Sequence, residues 1–436
     1  MNKSSWILAG LLLAGQLLFA QTRLINLEES INLSLQNSKQ LKASRAQIEE
    51  AEGMVKDARD RRLPDASISG SYLRLANPNI NLHSGNDSSS NGGPKISQAL
   101  YGIANISLPI YEGHRIRYGI ESAKYLRQAT MLDAENQREE VILNTMNAYT
   151  NLYKSTAAAV VIKENLEQSR QRVKDFTNLE KNGLLARNEL LKAQLQSSNI
   201  ELSLLDAENN RKLANINMDL MLGLPEGTEL LPDSGHTAPA GTLAGVLEYE
   251  QLAIQNRKDI LALSFRKKAA ETEIKSSRAE SYPSIALNGG YIAAYVPNFV
   301  TITNAVNVGL GIQYNLSSIW KTGKLQQAKA REKQVAANQE ILSDAVRLQV
   351  NQSYENYLSS QKKIEVYANA AELATENFRI SKNKYDNALL TTTDLLDADV
   401  AQLQAKLNYS FAKADAVLAY NKLLQTAGLL NARFKQ

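Results

Sequence analysis

The chain has no cysteine and very little histidine. Its 436 residues contain three His, at the scattered positions 83, 114 and 236. The lack of Cys excludes disulfides, thiolate zinc sites, cysteine nucleophiles and a lipid anchor attached to cysteine. None of the histidines has a partner at metal-ligand spacing, and no phosphate-binding loop is found. We therefore expect no enzyme activity, no cofactor and no bound metal.

Neither sign of charge dominates. Lys and Arg together number 49 and Asp and Glu 45, which gives a net charge of +4. Over this length, so small an excess does not indicate a nucleic-acid partner. The 44% of hydrophobic residues and 22% of charged residues are typical of a folded protein.

The first 20 residues have the pattern of an export signal. Lys3 precedes an apolar run that starts at Trp6, and the small Ala20 stands before Gln21 as a cleavage point. No later segment reaches the roughly 20 apolar residues that a membrane-spanning helix needs. We predict a signal peptide at 1–20 and a mature chain that leaves the cytoplasm. A strand barrel is then the remaining way to cross a bilayer.

The mature chain is an internal duplication. Displacing it on itself by 219 residues, and further along by 205, superposes similar segments. The matched pairs include Pro64 with Pro283, Tyr72 with Tyr291, Tyr149 with Tyr354 and Gly223 with Gly428. The predicted organisation is a first repeat at 21–225, a linker or equatorial segment at 226–245, a second repeat at 246–430 and a tail at 431–436. A Gly, Ser and Asn-rich stretch at 83–96 suits an exposed loop.

The positions of proline predict very long helices. Residues 110–224 and 298–436 contain no Pro and are rich in strong helix formers. Each repeat is predicted to run helix, strand, strand, very long helix, turn, helix. The first helix is expected at 27–62, and the long ones at 113–181 and 323–386. A helix of some 65 residues spans roughly 100 Å, so a compact globule is excluded. Apolar residues at spacings of three, four and seven indicate coiled-coil packing.

Four segments between the helices alternate between apolar and polar residues, most strictly at 306–316. Alternation alone fits a membrane barrel with a wet interior and equally a soluble sheet covered on one side by helices. The export signal and the long helices favour the barrel. Four strands cannot close one, since the smallest membrane barrels have about eight. Two chains would supply eight strands, three twelve and four sixteen.

These features together resemble the TolC family of outer-membrane efflux channels over essentially the whole mature chain. The local resemblance lies in three segments: YDNALLTTTDLLDA at 385–398, its counterpart NGLLARNELLKA at 182–193, and LPIYEG at 108–113, where a strand joins a long helix. The resemblance implies a homotrimer in the cell outer membrane that extends into the periplasm. It implies a trimeric α-barrel of long antiparallel coiled-coil helices, joined to a transmembrane β-barrel to which each chain contributes four strands in contact with outer-membrane lipid.

The resemblance also implies partners and site residues. A periplasmic adaptor and an inner-membrane pump would dock on the helix tips. By motif alignment, Asp394 and Asp397 line the periplasmic constriction, and Tyr385 belongs to the same gate region. The expected adaptor contacts are Asn182, Gly183, Leu184, Leu185, Asn387, Ala388, Leu389 and Leu390. Because Asp394 and Asp397 share a helix face, three chains would place six carboxylates around one axis. The alternative interpretation is that Asp394 merely caps a helix behind Thr391.

The chain departs from the family pattern at both tips. Ala388 replaces the glycine of the turn, and Leu390 stands where some members carry a gate arginine, which predicts a clamp that is weaker or made differently. Glu189 aligns with Asp394, but Lys192 replaces the second carboxylate. The predicted function is a passive exit duct of a tripartite efflux or secretion system, gated at its periplasmic tips. The alternative is an exported coiled-coil scaffold without transport activity.

Overall fold

A computed structural model describes residues 22–76, 96–225, 227–233, 243–297 and 299–434. The expected signal peptide lies outside these residues, as do nearly all of the polar loop at 83–96, much of the linker at 226–245 and the last two residues of the tail. The described residues form nine α-helices, six strands and one short 3-10 helix.

The order of elements is nearly the same in the two halves. The helices are α1 (Leu27–Asn37), α2 (Lys39–Asp60), α3 (Arg115–Lys181), α4 (Arg187–Leu222), α5 (Val246–Asn256), α6 (Lys258–Ala279), α7 (Gly323–Asp386), α8 (Thr392–Thr426) and α9 (Leu430–Arg433). The strands are β1 (Thr22–Ile25), β2 (Asp65–Arg74), β3 (Gln98–Glu112), β4 (Glu229–Pro232), β5 (Ser284–Val296) and β6 (Val300–Gln313), and the 3-10 helix is Leu316–Ile319.

The first helix of each half is broken, which corrects the single helix expected at 27–62. Ser38 has an extended backbone, with ψ of 118°, and its hydroxyl accepts a hydrogen bond from the Leu41 N–H. It therefore ends α1 and caps α2. Arg257, 219 residues later, separates α5 from α6 with ψ of 128°. Both halves thus break at the same position of the repeat.

The chain divides into two compact units. The helical unit contains the described residues of Met1–Arg45, Asp133–Leu261 and Leu342–Gln436. One of its cores surrounds Tyr149, which is fully buried and donates its hydroxyl to the carbonyl oxygens of Ile25 and Asp233 at 3.1 and 3.2 Å. Ile25 ends β1, which pairs in parallel with β4. A short two-stranded sheet, which the sequence did not predict, therefore closes this core.

The sheet unit contains Ala46–Leu132 and Ala262–Ile341. Its four strands form one antiparallel sheet in the order β2-β3-β5-β6. Register places apolar residues in one row and polar residues in the next. One row runs Ile68, Ala104, Tyr291, Val306, and the neighbouring row on the other face runs Ser67, Asn105, Gly290, Asn307. The predicted alternation therefore produces one apolar and one polar face. The last strand ends at Gln313, so Leu316, expected in it, lies in the 3-10 helix.

The fold class predicted from the sequence is confirmed: the chain is mostly helical, with a small antiparallel part to which it contributes four strands. The long helices were expected at 113–181 and 323–386 and are found at Arg115–Lys181 and Gly323–Asp386.

Candidate functional site: the helix tips

The turn between α3 and α4, called here the first tip (residues 182–186), ends a long helix with a left-handed residue. Gly183 has φ of 71°. The Leu184 N–H donates to the Leu179 carbonyl and the Gly183 N–H to the Glu180 carbonyl, both at 2.9 Å. This is the Schellman arrangement, which satisfies the last carbonyl groups of a helix. It leaves the Leu184 side chain 73% exposed, beyond the end of the helix.

The second tip (residues 387–391), between α7 and α8, has the same geometry without a glycine. Ala388 adopts φ of 58°, and the Leu389 N–H donates to the Lys384 carbonyl at 2.8 Å. Leu389 is 75% exposed, and Leu390 is half-buried. Replacement of the expected glycine by Ala388 therefore changes the local strain but not the path of the turn. Each tip presents one leucine to solvent at the equivalent position.

Asp394 and Asp397 lie on the exposed face of the first turns of α8. The Thr391 hydroxyl accepts a hydrogen bond from the Asp394 N–H at 3.2 Å and donates one to Asp394 Oδ2 at 2.6 Å. The capping contact considered from the sequence is therefore present. It does not bury the carboxylate, so capping and exposure of this side chain coexist. Leu395 and Leu396, between the two aspartates, are buried.

Tyr385 packs against the neighbouring hairpin, the pair α3 and α4. Its ring stacks on Phe176, with ring centroids 5.3 Å apart and an angle of 24° between the planes. The Thr392 hydroxyl donates to its phenolic oxygen at 3.4 Å, and burial raises the pKa of Tyr385 above its ordinary value of 10. The contacts found for Tyr385 thus link α7 to α3, and the two exposed aspartates lie on another face of α8.

Polar contacts also join the two tips. Lys192 Nζ lies 3.1 Å from Glu189 Oε1 and 3.2 Å from the Thr393 hydroxyl. Hydrogen bonds from Thr392 and from Lys192 lower the pKa of Glu189 below its ordinary value of 4.5. The lysine that replaces the second carboxylate of the first repeat is therefore engaged in a contact between the hairpins.

Sequence reasoning missed a buried charged cluster two turns further into α8. Asp399 is 1% exposed and is bonded by Arg172 Nη1 at 2.9 Å and by Asn165 Nδ2 at 3.1 Å. The available signal was an aspartate flanked by Ala398 and followed by Gln402 on the buried side of α8. The sequence does not reveal its partner, since Arg172 is 227 residues away.

Large apolar surfaces stay uncovered within one chain. On α4, seven exposed aliphatic residues follow one another at spacings of three, four, seven or eight, so they lie on one side of the helix. This α4 stripe consists of Leu191, Leu195, Leu202, Leu205, Leu213, Ile216 and Leu220. In the sheet unit the apolar face is exposed as well, with Ile68 at 89% and Val306 at 72%. In both units the surface left open is one that a partner or lipid would cover.

Across the described ranges, no helix is long and apolar enough to cross a membrane. The same residues hold no group of three or more side chains suited to binding a metal ion.

Comparisons with known proteins agree over most of the chain. The family model described as outer membrane efflux protein matches residues 30–224 and 250–429. The outer membrane protein TolC of Vibrio cholerae is 24% identical over 430 residues, which cover 93% of this chain and 91% of that protein. The outer membrane efflux protein BepC of Brucella suis is 21% identical over 441 residues, which cover 98% of this chain and 89% of that protein.

Among solved structures, the CmeC outer membrane channel of Campylobacter jejuni matches with a TM-score of 0.78 and 17% identity. The match covers 93% of this chain and 86% of that one. At this level of identity the similarity concerns the fold.

Proposed function

Because the chain belongs to the outer membrane efflux protein family, we propose that three copies of it form the outer-membrane exit duct of a tripartite export system, gated at its periplasmic tips. The protein is an outer-membrane protein that extends into the periplasm. The observation that carries the proposal is that one chain leaves the edges and the apolar face of its sheet, and the α4 stripe, without partners in the described residues.

The sheet supports a shared barrel. Within the described chain, β2 and β6 each pair on one side only, so their outer backbone groups are free to bind another strand. Four strands are too few to close alone, and strands from three chains would make twelve. In such a barrel the apolar row that includes Ile68 and Val306 faces lipid, and the row of Ser67, Asn105 and Asn307 faces a water-filled interior.

The α4 stripe supports assembly of the helical unit. It is continuous from Leu191 to Leu220 and its residues repeat at close to the period of a helix. Coverage by a helix of a neighbouring copy removes this surface from water, which is the main driving force for association. A ring of helices closed in this way encloses the space through which cargo would pass.

The tips support gating and partner binding. In a trimer, Asp394 and Asp397 of each chain would place six carboxylates around one axis, a ring that attracts cations and repels anions. Leu184 and Leu389, exposed at the ends of the hairpins, are small apolar anchors of the kind that a periplasmic adaptor would bind. Energy for export would come from an inner-membrane pump.

Reconstitution of the purified mature chain tests this function. We expect a mass of three chains and discrete channel currents in planar lipid bilayers. A monomer or dimer that remains in solution and gives no current would overturn the proposal and favour the scaffold alternative.

A further inference from the structure

We propose that Asp399, Arg172 and Asn165 form a clasp that holds α8 against α3 while the channel is closed, and that separates when the channel opens. The proposal rests on the channel function proposed above. It concerns a buried cluster within one chain, distinct from the exposed aspartates at the tip.

The position of the cluster suits a clasp. Asp399 lies seven residues after Thr392, where α8 begins, and Arg172 lies nine residues before Lys181, where α3 ends. The cluster is therefore about two turns from the tip on each helix. At 100° per residue, Asp399 points about 140° away from Asp394 around α8. Contacts that fix the buried side of α8 at Asp399 consequently set where its exposed side presents the aspartates.

The geometry fully engages the carboxylate. One oxygen of Asp399 accepts from Arg172 and the other from Asn165, at 2.9 and 3.1 Å. Asp399 is 1% exposed and the Arg172 side chain 12%. The Arg172 guanidinium also lies 5.9 Å from the centre of the Phe378 ring of α7. The cluster therefore joins three helices, α3, α7 and α8, through one arginine.

The physics of a buried ion pair gives this arrangement two stable conditions. With both partners in place, each charge is compensated. With one partner removed, the remaining charge stays buried without compensation, which strongly destabilises the packed arrangement. When the helices move apart, water can reach both groups and compensate each of them. The pair thus favours either full contact or full separation.

A second ion pair between the same helices provides a matched control. Lys154 Nζ lies 2.9 Å from Asp415 Oδ1, sixteen residues further along α8. The side chains of Lys154 and Asp415 are 28% and 48% exposed, so water already solvates this pair. Loss of one partner here leaves a charge that water can compensate, and the position is four turns further from the tip.

Single-channel recording in planar bilayers tests the clasp. We expect Asp399→Asn and Arg172→Met to raise the mean current at least twofold, and Asp415→Asn to leave it unchanged. The double variant Arg172→Met/Asp399→Leu removes both charges and is expected to return the current to within a factor of two of the wild type. Single variants that assemble as trimers and conduct like the wild type would overturn the clasp. Wild-type protein that forms no channels would instead overturn the proposed function.

Reversible cross-linking decides the matter if the single variants do not assemble. Because the chain has no cysteine, thiols can be introduced in pairs: Arg172→Cys with Asp399→Cys, and Lys154→Cys with Asp415→Cys. We expect a reducible bifunctional thiol reagent to abolish opening events in the first pair and reduction to restore them, with no change in the second. Equal currents in the linked and reduced forms of the first pair would overturn the proposal.

Discussion

Gly183 and Ala388 occupy the same position in the two tips, with φ of 71° and 58°. Both turns carry the same pair of backbone hydrogen bonds. Glycine adopts this conformation freely, whereas the Cβ of alanine crowds the following carbonyl oxygen at a cost of about 1–2 kcal/mol. The second tip therefore carries backbone strain that the first tip does not.

Relief of this strain is the first prediction. Ala388→Gly is expected to stabilise the second tip by about 1 kcal/mol, because part of the relieved strain is offset by the larger freedom of glycine in the unfolded chain. The measurement is amide hydrogen exchange at residues 388 and 389, which should slow by roughly fivefold. The mirror variant, Gly183→Ala, should speed exchange at residues 183 and 184. Equal exchange in Ala388→Gly and the wild type would contradict the strain.

The second prediction concerns the pH dependence of stability. Glu139 is 2% exposed, and its Oε1 accepts a hydrogen bond from Asn431 Nδ2 at 2.6 Å. Burial raises its pKa from 4.5 to about 7, against the opposing effect of Lys258 and Arg257; Asp259 and Glu135 add to the increase. Between pH 4.5 and 7 the folded chain therefore binds more protons than the unfolded chain. The stability from this group is fully present below pH 4.5 and is lost as the pH rises through 7.

Glu139→Gln should remove this dependence, because the amide keeps an acceptor for Asn431 but does not ionise. The variant is expected to exceed the wild type by up to about 3 kcal/mol above pH 7 and to match it below pH 4.5. Thermal unfolding of both proteins from pH 4 to 8 measures the difference. Glu135→Gln is the control, since Glu135 is about half exposed in its pair with Lys258 and should alter the profile little. Parallel profiles for wild type and Glu139→Gln would show that Glu139 ionises normally.

Local patterns predicted the elements and the family, and both are confirmed. Proline-free stretches gave the long helices, and strict alternation gave the strands, because each signal lies within one contiguous segment. The break at Ser38 was missed, since one serine in a helical pattern does not distinguish a cap from a solvated residue. The β1–β4 pair was missed because each strand has only four residues and the two are about 200 residues apart.

The site was less accessible to sequence reasoning. Asp394 and Asp397 were chosen by alignment, and their role stays a prediction. The placement of Tyr385 on Phe176 depends on how two hairpins pack, and no spacing rule relates residues 209 positions apart. The same applies to Asp399 and Arg172. Contacts between distant helices follow from tertiary packing, which a single sequence does not specify.

The third prediction concerns the exposed leucines of the tips. Leu184→Ser combined with Leu389→Ser should abolish capture of the adaptor and pump that co-purify with the cross-linked wild-type chain. Stability should change by less than about 0.5 kcal/mol, because both side chains are mostly solvated already. Val160→Ser, at an exposed position of α3, is the control and should leave capture intact. Undiminished capture by the double variant would exclude the tips as the docking surface.

The fourth prediction concerns the carboxylate ring. Asp394→Ala combined with Asp397→Ala should raise single-channel conductance or reduce the preference for cations, because six negative charges leave the proposed constriction. Reversal potentials in asymmetric KCl measure the preference. A charge-matched control, Asp175→Ala with Asp415→Ala, removes six carboxylates from other exposed or half-exposed positions and should leave both quantities unchanged. Loss of the Thr391–Asp394 cap would speed amide exchange at the start of α8 without altering ion selectivity. A selectivity change in the Asp394/Asp397 variant alone therefore separates a role in the constriction from a role in capping, and identical currents and reversal potentials in all three proteins would reject the constriction.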